Sequence, residues 1–135
     1  MKKIKILLII LGVFLLSGCS ITKDSMEDIE IYTTIYPIRY LINSLYGTNS
    51  TINSIYPSGV NPNDFKISDK KIEEYSKTDL FVFNSLDKER DIAVKMLNKN
   101  KKLKIIDVSM GMTYDNDIAE LWLNPYNYLM MAENT

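Results

Sequence analysis

Histidine is absent from this 135-residue chain, and cysteine occurs once, at Cys19. The first absence removes the commonest general base and the commonest metal ligand together, so catalysis by a nucleophile–histidine pair is excluded. A lone cysteine excludes an internal disulfide. The five glycines are scattered, with no run that would cradle a phosphate. An excess of positive charge is missing too, because 16 basic residues face 17 acidic ones. Nucleic acid is therefore not expected as a partner, since phosphate binding needs a concentrated basic surface. Four lysines do crowd into Lys99–Lys104, but they fall between a helix-like and a strand-like segment and read as a solvated turn. The scattered carboxylates offer no nucleophile–base pair, so the expectation is that the chain is not an enzyme.

What is present begins with Met1-Lys2-Lys3-Ile4-Lys5, an apolar run Ile6–Leu16, and then Leu16-Ser17-Gly18-Cys19. A basic end, a short apolar centre and small residues before a cleavage point form the pattern of a secretory signal peptide. As a helix the apolar run reaches only ~16 Å, against a bilayer core of roughly 30 Å, too short to remain as a span. Leu16-Ser17-Gly18-Cys19 resembles a bacterial lipobox, which implies lipid on Cys19 and residence outside the cytoplasm on the cell membrane. Residues 1–18 are thus expected to be signal, 19–28 a polar lipidated tether, and 29–135 the folded part. Removal of the signal leaves 117 residues with 13 basic and 17 acidic side chains, a net of −4. That is one domain's worth of chain.

Strand-like and helix-like segments then alternate. Ile29–Thr34 is rich in β-formers. Pro37 suits a first helical turn, and Ile38, Leu41, Ile42 and Leu45 follow at helical spacing up to Gly47. Thr51–Tyr56 reads as a strand, Pro57–Ile67 as a loop, and Ser68 as the cap of a short helix through Ser76. Leu80–Phe83 and Leu103–Val108 have the apolar character of strands covered on both faces. Between them Asp87 opens a helix with Ile92, Ala93, Met96 and Leu97 on one face. Ser109–Leu123 reads as a long loop, and Asn124-Pro125 as the start of a last helix, Pro125–Glu133. That helix is apolar on more than one side, which leads us to expect a truncated or fragmentary coding sequence. Four strands separated by helices, with no hairpin turn, predict an α/β fold: a four-stranded parallel sheet flanked by helices. Ligands of such sheets bind outside the carboxyl ends of the strands, so Pro57–Ile67 and Ser109–Leu123 should share one edge.

Those two loops carry a resemblance. Tyr56-Pro57-Ser58-Gly59-Val60-Asn61-Pro62-Asn63-Asp64-Phe65 resembles the P-x-G-x-x-P-H-x-Y/F segment of zinc/manganese solute-binding lipoproteins, the receptors of metal-uptake ABC transporters. Thr33-Thr34-Ile35-Tyr36-Pro37 continues it, and Ser76-Lys77-Thr78-Asp79-Leu80-Phe81-Val82-Phe83-Asn84 is similar to the family's ADLFVYNG strand. Glu120-Leu121-Trp122-Leu123-Asn124-Pro125 is similar to D-P-H-x-W-L-D/S-P. The resemblance implies the amino-terminal lobe of a two-lobed receptor, a monomer, with the second lobe absent from this chain. It also implies clamping of a divalent metal ion, zinc or manganese, for delivery to an ABC transporter permease.

Asn63 and Glu120 stand where the family's metal-binding histidines would be, with Ala119 in place of a proline. They are the candidate metal residues, with Pro62, Phe65 and Trp122 supporting them. Oxygen donors suit manganese, calcium or magnesium better than zinc. Each candidate also fits a plainer role: Asn63 as the residue that satisfies backbone groups in a Pro-Asn-Asp turn, Glu120 as a solvated carboxylate, and Trp122 as a core anchor. Asp115-Asn116-Asp117 lacks the glycine and glutamate of a calcium loop and reads as a turn. The nine tyrosines are assigned mostly to core or half-buried positions on strands and helices. A receptor for an organic solute, a surface adhesion module and a non-functional remnant are the alternatives that the missing histidines leave open.

Overall fold

A computed structural model describes residues 27–85, 88–113 and 120–135. Cys19, most of the tether, Asp87 and the Asp115-Asn116-Asp117 cluster lie outside these. The described elements alternate in the expected way. Strand β1 (Glu30–Thr33) leads to helix α1 (Tyr36–Tyr46), β2 (Thr51–Ser54), α2 (Asp69–Tyr75), β3 (Leu80–Phe83), α3 (Lys88–Lys99) and β4 (Lys104–Asp107). A 3-10 turn at Leu121–Leu123 then precedes α4 (Pro125–Glu133). All three strand pairings are parallel, in the order β2-β1-β3-β4. Among the described residues no helix is long and apolar enough to cross a membrane.

The sheet centre is where the chain hides its apolar mass. Every residue of β3 is buried, as is Ile31 of β1. Phe81 and Phe83 share a face, as alternate strand residues must, and their rings stack at 5.4 Å. Helix α1 buries Ile38, Leu41 and Ile42, but Leu45, expected on the same face, is exposed. Helix α2 is capped by Ser68, whose hydroxyl accepts from the Lys71 N–H, and it buries Ile72. Beside it, Tyr75 lies 4.8 Å from Tyr32. Helix α3 buries Ile92, Ala93 and Met96.

Two further local expectations fail. The Leu103–Val108 segment was expected to be covered on both faces, yet Lys104 and Ile105 are exposed. It is an edge strand that pairs only with β3, and the residues that are buried, Leu103 and Val108, flank the strand proper. Three helical tyrosines, Tyr36, Tyr40 and Tyr126, are exposed rather than packed. The first two form a ring pair 6.2 Å apart on α1. Helix α4 has the two-sided character read from its sequence. Met131 is fully buried and the Tyr128 hydroxyl donates to the Pro37 carbonyl at 3.0 Å, while Tyr126 and Leu129 face outward.

Side chains lock the strand ends. The Thr78 hydroxyl donates to the Glu30 carbonyl at 2.6 Å, and the Asp79 carboxylate accepts the Glu30 N–H at 2.9 Å. At the opposite edge one oxygen of Asp107 accepts from Ser85 N, Ser109 N and Ser109 Oγ.

Phe81 is fully buried at the sheet centre. Its replacement by alanine should cost about 3–5 kcal/mol, read from urea denaturation monitored by far-ultraviolet circular dichroism. A loss below about 1 kcal/mol would contradict the core described here.

Candidate functional site

Parallel strands place all four of their carboxyl ends on one rim, and the loops that leave that rim enclose a cavity of about 470 Å³. Each loop contributes. Ile35, Tyr36 and Arg39 come from beyond β1, and the stretch from Tyr56 to Asn63 from beyond β2. Asn84, Lys88 and Glu89 come from beyond β3, and Glu120 and Trp122 from the long connection after β4. The chain leaves β1 toward β2 on one side and returns to β3 on the other. The cavity thus sits at the switch point, where ligands of open α/β sheets bind.

Its floor is the buried carboxylate of Glu89. One of its oxygens accepts the Thr34 hydroxyl at 2.6 Å and the Asn84 backbone N–H at 3.2 Å. These two donors leave the ends of β1 and β3, so the carboxylate bridges the two central strands where they diverge. A buried carboxylate is tolerated only when hydrogen-bonded, and its place in the first turn of α3 adds the favourable end of the helix dipole. Beside it the Oδ1 of Asn84 is buried and finds no hydrogen-bond partner among the described residues. Burial, and after it the Glu89 charge, push the Tyr56 phenol up to about 12.

The wall is the Tyr56–Phe65 loop. Gly59 takes a φ of +79°, a conformation that favours glycine. Asn61 closes the following turn, its side-chain oxygen accepting the Asn63 N–H at 3.0 Å while its amide donates to Asp64 at 2.9 Å. The plain turn-closing role thus belongs to Asn61, and Asn63 is carried to the cavity with an exposed side chain. Its backbone carbonyl accepts from the Lys88 ammonium, which ties the wall to the start of α3. Pro62 lines the cavity. Phe65 does not, but it supports the wall by packing edge-on against Tyr56 at 6.0 Å and 82°.

Glu120 is exposed and lines the same cavity as Asn63, 57 residues earlier in the chain. Trp122, at the 3-10 turn, is half-buried, and both lines the cavity and packs on the core. Among the described residues no group of three or more acidic or cysteine side chains is assembled to hold a metal. The described lining therefore offers separate oxygen atoms, among them those of Asn63 and Glu120.

The family described as zinc-uptake complex component A, periplasmic (ZnuA), matches residues 31–135. The chain belongs to this family. It is 25% identical over 155 residues to the zinc-binding lipoprotein AdcA of Streptococcus pneumoniae, covering 99% of this chain and 31% of that protein. With the high-affinity zinc uptake system protein ZnuA of Bacillus subtilis it shares 32% identity over 91 residues, 62% of this chain and 28% of that one. The chain thus spans about a third of the length of these relatives. Among solved structures, the Zn(II)-bound ZnuA-like domain of Streptococcus pneumoniae AdcA superposes with a TM-score of 0.71 at 21% identity, over 79% of this chain and 42% of that one. These relatives bear the names of binding and uptake proteins, not of enzymes. The family's α/β parallel-sheet fold, expected from the alternation of segments, is the fold observed.

The sequence reading missed Arg39, Asn84, Lys88 and Glu89, all of which line the cavity. For Glu89 a signal existed. It precedes Ile92, Ala93 and Met96 by three, four and seven residues, which places it on the buried face of α3. The surrounding charge run Lys88–Asp91 conceals this.

The Tyr56 phenol is neutral when protonated, and its folded-state pKa lies above that of an unfolded tyrosine, near 10. The stability this confers is therefore complete below pH 10 and is lost as the pH rises toward about 12. Denaturation midpoints followed across that window should fall, and should fall less in a Tyr56→Phe variant.

Proposed function

We propose that this chain is the amino-terminal lobe of an extracytoplasmic, lipid-anchored receptor that captures a divalent cation and presents it to an ABC transporter permease. One observation carries the reading: Asn63 and Glu120, which the family resemblance marks as metal positions, line a single cavity at the carboxyl rim of the sheet. The names of the zinc-binding and zinc-uptake relatives support the same class of cargo. Glu120 supplies a carboxylate and Asn63 an amide oxygen, and neither is the imidazole that favours zinc. The ion we assign is accordingly a harder one, manganese before zinc.

Two oxygens do not complete a shell of about six ligands. The remaining donors come from outside the described residues, and capture is a closure of two lobes over the ion. Release follows from their opening on the permease. No bond to the ion's carrier is made or broken by catalysis here.

Calorimetric titration of the full-length protein with manganese and with zinc tests this. Manganese should bind more tightly. Glu120→Ala should weaken it by about tenfold or more, roughly 1.4 kcal/mol, and Asn63→His should move the preference toward zinc. Tighter zinc binding by the unaltered full-length protein, or an unchanged manganese affinity in Glu120→Ala, would overturn the assignment.

The anchor has its own test. Cells given a radiolabelled fatty acid should incorporate it into this protein, and Cys19→Ser should abolish the label and release the protein from the membrane fraction.

A further inference from the structure

Val60 and Phe65 pack against the core, and the turn between them reaches outward. Asn61, Asn63 and Asp64 are exposed, and Gly59 stands clear, since a Cβ built on it would meet nothing within 4 Å. Among the described residues, the hydrogen bonds of Asn61 and Asp64 stay within the turn and Phe65. Such bonds fix the shape of a turn but not its place. The bond that joins it to another element runs from the Lys88 ammonium to the Asn63 carbonyl. Lys88 is the first residue of α3. Its neighbour Glu89 is buried and accepts from Thr34 and from the Asn84 N–H. The sheet thus sets the backbone of Lys88, and the lysine side chain carries that setting to the wall.

We propose that Lys88 is a positioning residue of the metal site, holding the Asn63 turn against α3 so that the Asn63 side chain is presented to the cavity before the ion arrives. This rests on the metal-receptor reading above and names what keeps one of its donors in place. The charge of Lys88 works against the same task. A positive charge beside a divalent ion repels it, so Lys88 weakens binding as a charge and strengthens it as a tie. Water and salt screen the repulsion at an exposed ammonium. Losing the tie is not screened: the turn spreads over several placements, and affinity falls with the fraction that remains competent. Positioning and simple electrostatics therefore predict opposite signs when the lysine is removed.

The test uses the full-length protein with Lys88→Met, Lys88→Arg, Asn63→Ala and the Lys88→Met/Asn63→Ala pair. Without metal, Lys88→Met should speed hydrogen exchange at the Asn63, Asp64 and Phe65 amides by about threefold or more. Lys88 is exposed, and unchanged exchange at the sheet amides certifies that each variant is folded. In calorimetric titration, Lys88→Met should weaken manganese binding by about fivefold. Lys88→Arg keeps the charge and the donors, and should bind close to the unaltered protein. In the Asn63→Ala background, Lys88→Met should cause no further loss, because the tie then has no donor to place. Unchanged loop exchange in Lys88→Met, or manganese bound by it equally or more tightly, overturns the positioning role and leaves the receptor standing. So does a Lys88→Arg as weak as Lys88→Met, or a loss that persists without the Asn63 side chain. An absence of manganese binding by the unaltered protein overturns both.

Discussion

The Glu89 carboxylate ties together the ends of β1 and β3 by accepting from Thr34 and from the Asn84 backbone. These strands are neighbours in the sheet but are separated in sequence by two helices and β2. Where they part company the sheet has a crevice, and there the Asn84 backbone N–H and the Thr34 hydroxyl have no strand partner to donate to. A buried anion on a helix N-terminus satisfies both donors and fixes α3 against the sheet in the same act. The position of Lys88, one residue earlier, follows from it, and so does the tie from Lys88 to the Asn63 loop.

Charge in the cavity is of both signs. Glu89, Glu120, Arg39 and Lys88 all line it, and of these Glu89 is buried. The family to which the chain belongs is represented by proteins named for zinc binding and zinc uptake. At Asn63 and Glu120, the positions where the resemblance would put imidazoles, this chain has side chains with oxygen atoms. On the function proposed above, a donor set without nitrogen or sulfur suits a harder ion than zinc.

The outer surface is less complete than the core. Tyr36, Tyr40, Tyr126 and Leu129 are exposed on α1 and α4, although the sheet centre is packed with fully buried Ile31, Phe81 and Val82. Tyr128 joins these helices through its bond to the Pro37 carbonyl, so the exposed rings flank an ordered contact.

Period and punctuation in the sequence determined the elements, because helix and strand each impose a local spacing on apolar residues. Pro37, Ser68, Asn124 and Pro125 marked helix starts, and Leu80–Phe83 marked the central strand to the residue. Parallelism was legible as well, since helices between strands admit little else. Other features could not be read from spacing. An apolar run does not say whether its strand is central or at an edge, and β4 proved to be an edge. A Pro-Asn-Asp sequence does not say which asparagine closes the turn, and Asn61 closed it. Nor does a charge run say which member points inward. Glu89 does so because Thr34 and Asn84, just past the ends of β1 and β3, both donate to it, and only the folded chain brings Thr34 within hydrogen-bonding distance.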